Sequence, residues 1–138
     1  MKFAFTSAIV STVLVIAGLA DLGSAQSPLA SCRCPAAGTP ARTYSRAQIG
    51  AAVTAGAQAP PRTIGNYPHT FGNFERILFA TCTGQTLNEF PILTTGPFTG
   101  RGPGPDRVIY TSSGQFCGCI THTGAPTAGG FVPCLFTV

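Results

Sequence analysis

The chain is 138 residues long, carries a formal net charge of +4, and has only 9% charged residues. That length fits one domain. The modest positive balance suits either an anionic partner or simple solubility, and no run after the first twenty residues is long enough to span a bilayer.

The first element is a leader. Lys2 precedes an apolar run from Phe3 to about Ala20, and small residues, Gly-Ser-Ala, close the segment before Gln26. This is the pattern of a secretory signal peptide, residues 1–25, with cleavage after Ala25 or, as second choice, Ala20. Its removal takes Lys2 and Asp21 together. Residues 26–138, read as a single domain, keep seven arginines against Glu75, Glu89 and Asp106. Arginine rather than lysine leans toward phosphate, because the planar guanidinium matches phosphate oxygens.

Six cysteines follow the leader: Cys32, Cys34, Cys82, Cys117, Cys119 and Cys134. An even count in an exported chain of this size predicts a disulfide framework. Zinc ligation is disfavoured, since neither Cys-Arg-Cys nor Cys-Gly-Cys has ligand spacing, and no metal or other cofactor is expected.

From Gln26 to Thr43 the chain is rich in Pro, Ala and Cys, which predicts an irregular arm. A helix is expected over 45–58. Ser45 and Gln48 form a capping box, Ile49, Ala52, Val53, Gly56 and Ala57 make one stripe, and Pro60-Pro61 stops it. Six short runs rich in aromatic and β-branched residues come next: PHTF, RILFATC, EFPIL, DRVIYT, FCGCITH and FVPCLF. The predicted fold class is therefore α+β, a single N-terminal α-helix packed on a twisted antiparallel sheet stapled by disulfides.

Strand alternation sorts the rare polar residues. If the helix side takes Val108 and Cys119, then Arg107 and His122 lie on the open side. There, Glu89, His69 and Tyr67 can join them. A carboxylate, two imidazoles, a guanidinium and a phenol suit cleavage of a phosphodiester that carries its own 2′-hydroxyl. Taken singly, each residue has a plainer reading. A lone strand histidine is more often structural, Glu89 could cap a turn, and Arg107 could pair with Asp106 or Glu75.

The wording around these residues is more specific. YPHTFGNFE, EFPIL, GPDRVIY and ITHTGAPTAGGFVPC resemble, in order, four signatures of the fungal guanyl-specific ribonucleases, the group of ribonuclease T-one and ribonuclease U-two. The likeness runs from about Tyr44 to Cys134. It implies Glu89 as the general base with His69 assisting, and His122 as the general acid. It further implies Arg107 and Tyr67 on the phosphate, and Phe131 against the reacting group. For the base it implies stacking by Phe71 and Phe74, backbone contacts from Gly72 and Asn73, and Glu75 reading the guanine edge. The implied substrate is single-stranded RNA, not DNA, cut by a monomer. The Tyr67–Pro68 bond resembles one that is cis in the family, and the implied disulfides are Cys82–Cys117 and Cys34 (or Cys32) with Cys134. Cys119 either joins the remaining arm cysteine or stays a buried thiol.

Several positions depart from the family. Phe71 and Phe74 stand where tyrosines are usual, Gly72 where asparagine is usual, and Arg76 where glycine is usual. Arg76 could pair with Glu75, and an asparagine contact near Gly129 and Gly130 is missing. Two rival functions share the scaffold: a ribotoxin-like cytotoxin cutting ribosomal RNA, and a non-catalytic RNA-binding effector. The first is disfavoured by the absence of lysine after position 2 and by the short loop before Asp106. The second is disfavoured because no catalytic position is lost. On this view the few charges gather on one active-site face.

Overall fold

The computed structural model describes residues 31–137, so the expected leader lies outside the described residues. The expected irregular arm is instead the start of a sheet. β1 (Ser31–Cys34) pairs antiparallel with β2 (Arg42–Ser45), and on its other side with β8 (Leu135–Thr137), giving the order β2-β1-β8. The local cause is alternation: Cys32 and Cys34 are fully buried while Arg33 between them is exposed. The Pro- and Gly-bearing stretch 35–41 only turns the chain.

α1 (Arg46–Gln58) is N-capped by Ser45, whose side chain accepts from the Gln48 N–H while the Gln48 side chain accepts from the Ser45 N–H. Its buried stripe is Ile49, Ala52, Val53 and Gly56. Gly56 is needed for close approach, since a Cβ there would lie 2.5 Å from the Tyr110 hydroxyl. That hydroxyl is buried without a hydrogen-bond partner among the described residues, and burial pushes its pKa up to about 12.

The second sheet has five strands in chain order, β3 (His69–Thr70), β4 (Leu87–Pro91), β5 (Asp106–Thr111), β6 (Phe116–Thr121) and β7 (Val132–Pro133), all antiparallel. Its helix-facing side contributes Phe90, Val108, Tyr110 and Cys119 to a core shared with Tyr44 and α1. The other side is not fully open. Part of it, at Ile109, Cys117 and Ile120, lies under a second cluster built on Phe71, Phe79 and Cys82. The run RILFATC, expected as a strand, supplies that cover. Ile77–Phe79 is irregular and Ala80–Cys82 forms one 3-10 turn. Phe79 fits over Gly118, where a Cβ would come within 2.9 Å of its ring. A short apolar run does not by itself distinguish a strand from a packed loop. FVPCLF is likewise split, with Val132–Pro133 in one sheet and Leu135–Thr137 in the other.

Three disulfides join these layers: Cys32–Cys119, Cys34–Cys134 and Cys82–Cys117. The first two close loops of 87 and 100 residues. On chain entropy alone, loops that long are worth about 4 kcal/mol each.

A buried charge holds β2, β5 and β6 together. Asp106, with no solvent exposure, accepts from Arg42 Nε and Nη2 and from the Tyr44 hydroxyl. Arg42 Nη2 also reaches Thr121 Oγ1 and Thr123 Oγ1 at 3.4 and 3.1 Å. Burial alone would raise the Asp106 pKa, but hydrogen bonds from Arg42, Thr121 and Tyr44 outweigh it and hold the carboxyl below its usual range. A depressed folded-state pKa contributes stability above the unfolded value, and that contribution is lost as pH falls through the folded value. Asp106→Asn is expected to lower the unfolding free energy by about 3 kcal/mol at neutral pH. It should also flatten the fall in stability below about pH 4. Denaturant titrations of both proteins across pH 2–7 check this.

Candidate active site

The pleat that sends Asp106 inward sends Arg107 to the opposite face. On β4, Glu89 stands cross-strand from His69 and from Ile109, so the carboxylate and imidazole meet on the same side as Arg107. His69 Nε2 lies 3.0 Å from Glu89 Oε1, and its Nδ1 donates to the Thr70 carbonyl at 3.3 Å. With Nδ1 so engaged, the Nε2–Oε1 contact holds one proton between the two groups. The second carboxylate oxygen, Oε2, is buried and has no partner among the described residues. Burial raises the Glu89 pKa; the charges of His69 and Arg107 pull it back in part, and Glu75 adds a smaller upward push.

Tyr67 packs this pair in place. The Tyr67–Pro68 peptide is cis, and the Tyr67 ring stacks on His69 with centroids 4.7 Å apart. Arg107 Nε donates to the Tyr67 hydroxyl at 3.2 Å. Nη1 of the same guanidinium donates to the carbonyls of Pro103, Gly104 and Asp106. Arg107 therefore pairs with neither of the carboxylates considered for it in a structural role. Its hydrogen bonds go to neutral acceptors, and it is in no direct ion pair among the described residues.

His122 follows β6 directly, with its N–H on the Pro105 carbonyl. Its Nδ1 donates to the Gly130 carbonyl at 2.7 Å, which leaves Nε2 as the nitrogen available for chemistry. Phe131 stacks on the imidazole at 3.9 Å. Sequence reasoning missed Gly130 as the residue that fixes this ring. Its only signal was a glycine where a side chain cannot fit: a Cβ would lie 2.5 Å from Thr127 Oγ1.

The stretch Phe71–Glu75 forms a turn beside these groups. Asn73 closes it, its side chain bonding both the N–H and the carbonyl of Ile77 at 2.8 and 2.9 Å. Phe71 is buried, edge-on to Phe79 and Phe131. Phe74 is 93% exposed, its ring lying over Gly72. Glu75 Oε1 accepts from the Phe131 N–H at 3.0 Å, and no ion pair joins Arg76 to Glu75 among the described residues. A cavity of about 450 Å³ lies behind this turn, between Thr70–Asn73 and Cys82–Leu87. His69, Glu75, Glu89, Arg107 and His122 are not among the residues that line it.

A carboxylate–imidazole pair, a second imidazole fixed by its far nitrogen, and a guanidinium beside a phenol are the equipment of a ribonuclease. A family model described as ribonuclease matches residues 30–135. The chain is 44% identical over 95 residues to the extracellular guanyl-specific ribonuclease Fl1 of Gibberella baccata, spanning 66% of this chain and 88% of that one. To the guanyl-specific ribonuclease U1 of Ustilago sphaerogena it is 39% identical, over 67% and 89%. Among solved structures, ribonuclease He1 from Hericium erinaceus matches with a TM-score of 0.56 at 38% identity, covering 77% of this chain and 99% of that one. The Aspergillus ribotoxin restrictocin matches with a TM-score of 0.56 at 25% identity, over 75% and 96%. The chain belongs to the fungal guanyl-specific ribonuclease family.

The raised Glu89 pKa ties this residue to stability. A group whose folded pKa is raised contributes stability below its unfolded pKa and loses it as pH rises through the folded value. Above the folded value the ionised Glu89 is therefore a burden. Glu89→Gln, which keeps the shape and removes the charge, is expected to give an equal or higher Tm at pH 7. The difference from the parent should shrink toward pH 4, as read by thermal melts across that range.

Proposed function

We propose that this ribonuclease is a secreted endonuclease that cuts single-stranded RNA after guanosine through a 2′,3′-cyclic phosphate, with no metal ion required. The observation that carries the mechanism is Glu89: one oxygen shares a proton with His69, and the other is buried and unpartnered beside Arg107. That is an acceptor poised for one more proton.

In the proposed reaction Glu89 takes the proton of the 2′-hydroxyl, with His69 assisting. The 2′-oxygen attacks phosphorus, the bond to the 5′-oxygen breaks, and His122 Nε2 protonates the leaving oxygen. Arg107 and Tyr67 meet the charge on the phosphoryl oxygens, and Phe131 packs against the reacting group. A slower second step lets water open the cyclic phosphate with acid and base exchanged. The nucleophile belongs to the substrate, so no metal is needed to generate one, and DNA lacks it.

Guanine recognition falls to Phe71–Glu75. Glu75 already accepts one N–H from Phe131, yet a carboxylate has about four lone-pair sites and can take the N1–H and 2-amino group of guanine as well. Phe71 and Phe74 offer the faces for stacking, and the backbone of Gly72 and Asn73 completes the contacts. Secretion is supported by the leader pattern of residues 1–25, the three disulfides, and the extracellular description of the Gibberella baccata relative.

The disulfide-intact protein should release guanosine 2′,3′-cyclic phosphate from GpN in excess chelator. A His122→Ala variant should be slower by about 10²–10⁴-fold. Cyclic product from all four of GpN, ApN, CpN and UpN would remove the guanine assignment, and no cleavage by folded protein would remove the mechanism. Separately, Glu75→Gln should cut kcat/KM for GpN by about 10- to 100-fold and change the other dinucleotides little. An equal loss on all four would make Glu75 a structural residue.

A further inference from the structure

The carboxylates of the described residues all have work: Asp106 in the buried cluster, Glu89 with His69, and Glu75 on Phe131. Of the seven arginines, Arg42 serves Asp106 and Arg107 the open face, and two others are placed near Arg107. Arg62 and Arg101 are exposed, and they lie on two loops packed against the groups around Arg107.

Arg62 belongs to a small hairpin that ends at the site. Its N–H donates to the Pro68 carbonyl at 2.9 Å, and Ile64 and Tyr67 exchange both backbone hydrogen bonds at 2.9 Å. The Gly65–Asn66 turn between them has φ of 53° and 70°, the signature of a two-residue type I′ turn. Arg62 itself has φ of 61°, and its Nη1 donates to Asn66 Oδ1 at 2.9 Å. That partner is neutral, so the guanidinium is positioned but not neutralised.

Arg101 stands between two anchor points. On one side Gly100 packs against the same hairpin, where a Cβ on Gly65 would lie 2.3 Å from the Gly100 carbonyl. On the other, the Pro103 and Gly104 carbonyls accept from Arg107 Nη1 at 3.2 and 2.8 Å. The Arg101 side chain is exposed on this loop, and Gly100, Gly102 and Gly104 all have positive φ. Both arginines thus sit on loops joined to Tyr67 and Arg107, one on the hairpin that contains Tyr67 and one beside the carbonyls that hold Arg107, and neither is in an ion pair among the described residues.

We infer that Arg62 and Arg101 form a second phosphate subsite, which holds the phosphate adjacent to the scissile one in an RNA chain. The inference rests on the proposed placement of the scissile phosphate at Tyr67 and Arg107. A planar fork donates in parallel to phosphate oxygens, and a groove that binds single strands tracks the backbone with positive charge. The subsite makes the enzyme prefer substrates that carry a phosphate beyond the cleaved bond.

The test compares kcat/KM for the dinucleotide that the parent cleaves best with the same dinucleotide bearing an added 5′-phosphate or an added 3′-phosphate. One of the two phosphorylated substrates should be favoured about tenfold at low salt, and which one tells the side of the subsite. Arg62→Asn with Arg101→Gln should abolish that preference and leave the plain dinucleotide within about twofold. Asparagine is chosen at 62 because it tolerates positive φ. Arg101→Gln alone, on an exposed loop, should remove part of the preference, and Arg101→Lys should retain most of it. For an oligonucleotide substrate, the double variant should show a salt dependence flatter by about 0.7 in log–log slope, the value of one neutralised phosphate.

Absence of any preference in the parent, or its survival in the double variant, overturns the inference. So does an equal loss on the plain dinucleotide. If the parent cleaves no dinucleotide, the proposed function fails instead. The subsite is then judged by binding of a trinucleotide with a 2′-deoxy group at the cleavage position, whose Kd should weaken about tenfold in the double variant. An unchanged Kd overturns the subsite whatever the catalysis.

Discussion

The position of Asp106 governs the rest of the molecule. It is wholly buried, ringed by Arg42, Tyr44 and Thr121, and located where β5 begins. A charge in that environment tolerates one register, because a slip of one residue would bring it to the other face and leave the arginine in its place. The next residue is therefore compelled to face the cleft, and it is Arg107. The same cluster reaches Thr121 and Thr123, the two residues that bracket His122. One ion pair on the helix side of the sheet thus fixes where Arg107 and His122 emerge on the other.

This corrects the view that the few charges gather on one face. Asp106 and Arg42 do their work behind the sheet, while Glu89 and Arg107 work in front of it. The two sets obey opposite electrostatics. Asp106 is saturated with donors, so its ionised form is favoured by folding. Glu89 is buried with one oxygen unserved, so its ionised form is disfavoured. A carboxylate in the second condition is poised to accept a proton, and a chain optimised only for stability would not retain it. Two buried acids on neighbouring strands are separated in role by the number of donors each is given.

Local chemistry made part of this legible in the sequence. The Ser45–Gln48 capping box and the Pro60-Pro61 stop mark α1 almost to the residue, because capping depends on neighbours in the chain. Alternation in DRVIY sorts Arg107 from Val108 for the same reason. Alternation also allowed Glu89, His69, Tyr67, Arg107 and His122 to share the open face, and the resemblance implied their roles: the structure brings His69, Glu89, Tyr67 and Arg107 together and sets His122 on Phe131. What escaped depends on distant partners. β1 is a strand because Cys32 and Cys34 are anchored 87 and 100 residues away and β8 returns to pair with it. RILFATC is a cover because Phe79 finds Gly118 across the sheet. The Cys-Arg-Cys alternation was a strand signal, hidden by the Pro- and Ala-rich wording around it.

The base turn and the second imidazole meet through a single peptide group. The carbonyl of Gly130 accepts from His122 Nδ1, and the N–H of the same peptide unit, on Phe131, donates to Glu75. Hydrogen bonds in such a chain polarise one another, and the peptide plane is rigid. A shift of Glu75 therefore tilts the group that orients His122, and the reverse holds. The phenylalanine on that peptide stacks on His122 and meets Phe71 edge-on, so packing repeats the link the hydrogen bonds make. Gly130 suits this place because a Cβ there would lie 2.5 Å from Thr127 Oγ1 and 3.2 Å from the Thr127 carbonyl. The Glu75 carboxylate and the His122 ring, on separate stretches of chain, are on this geometry mechanically one unit.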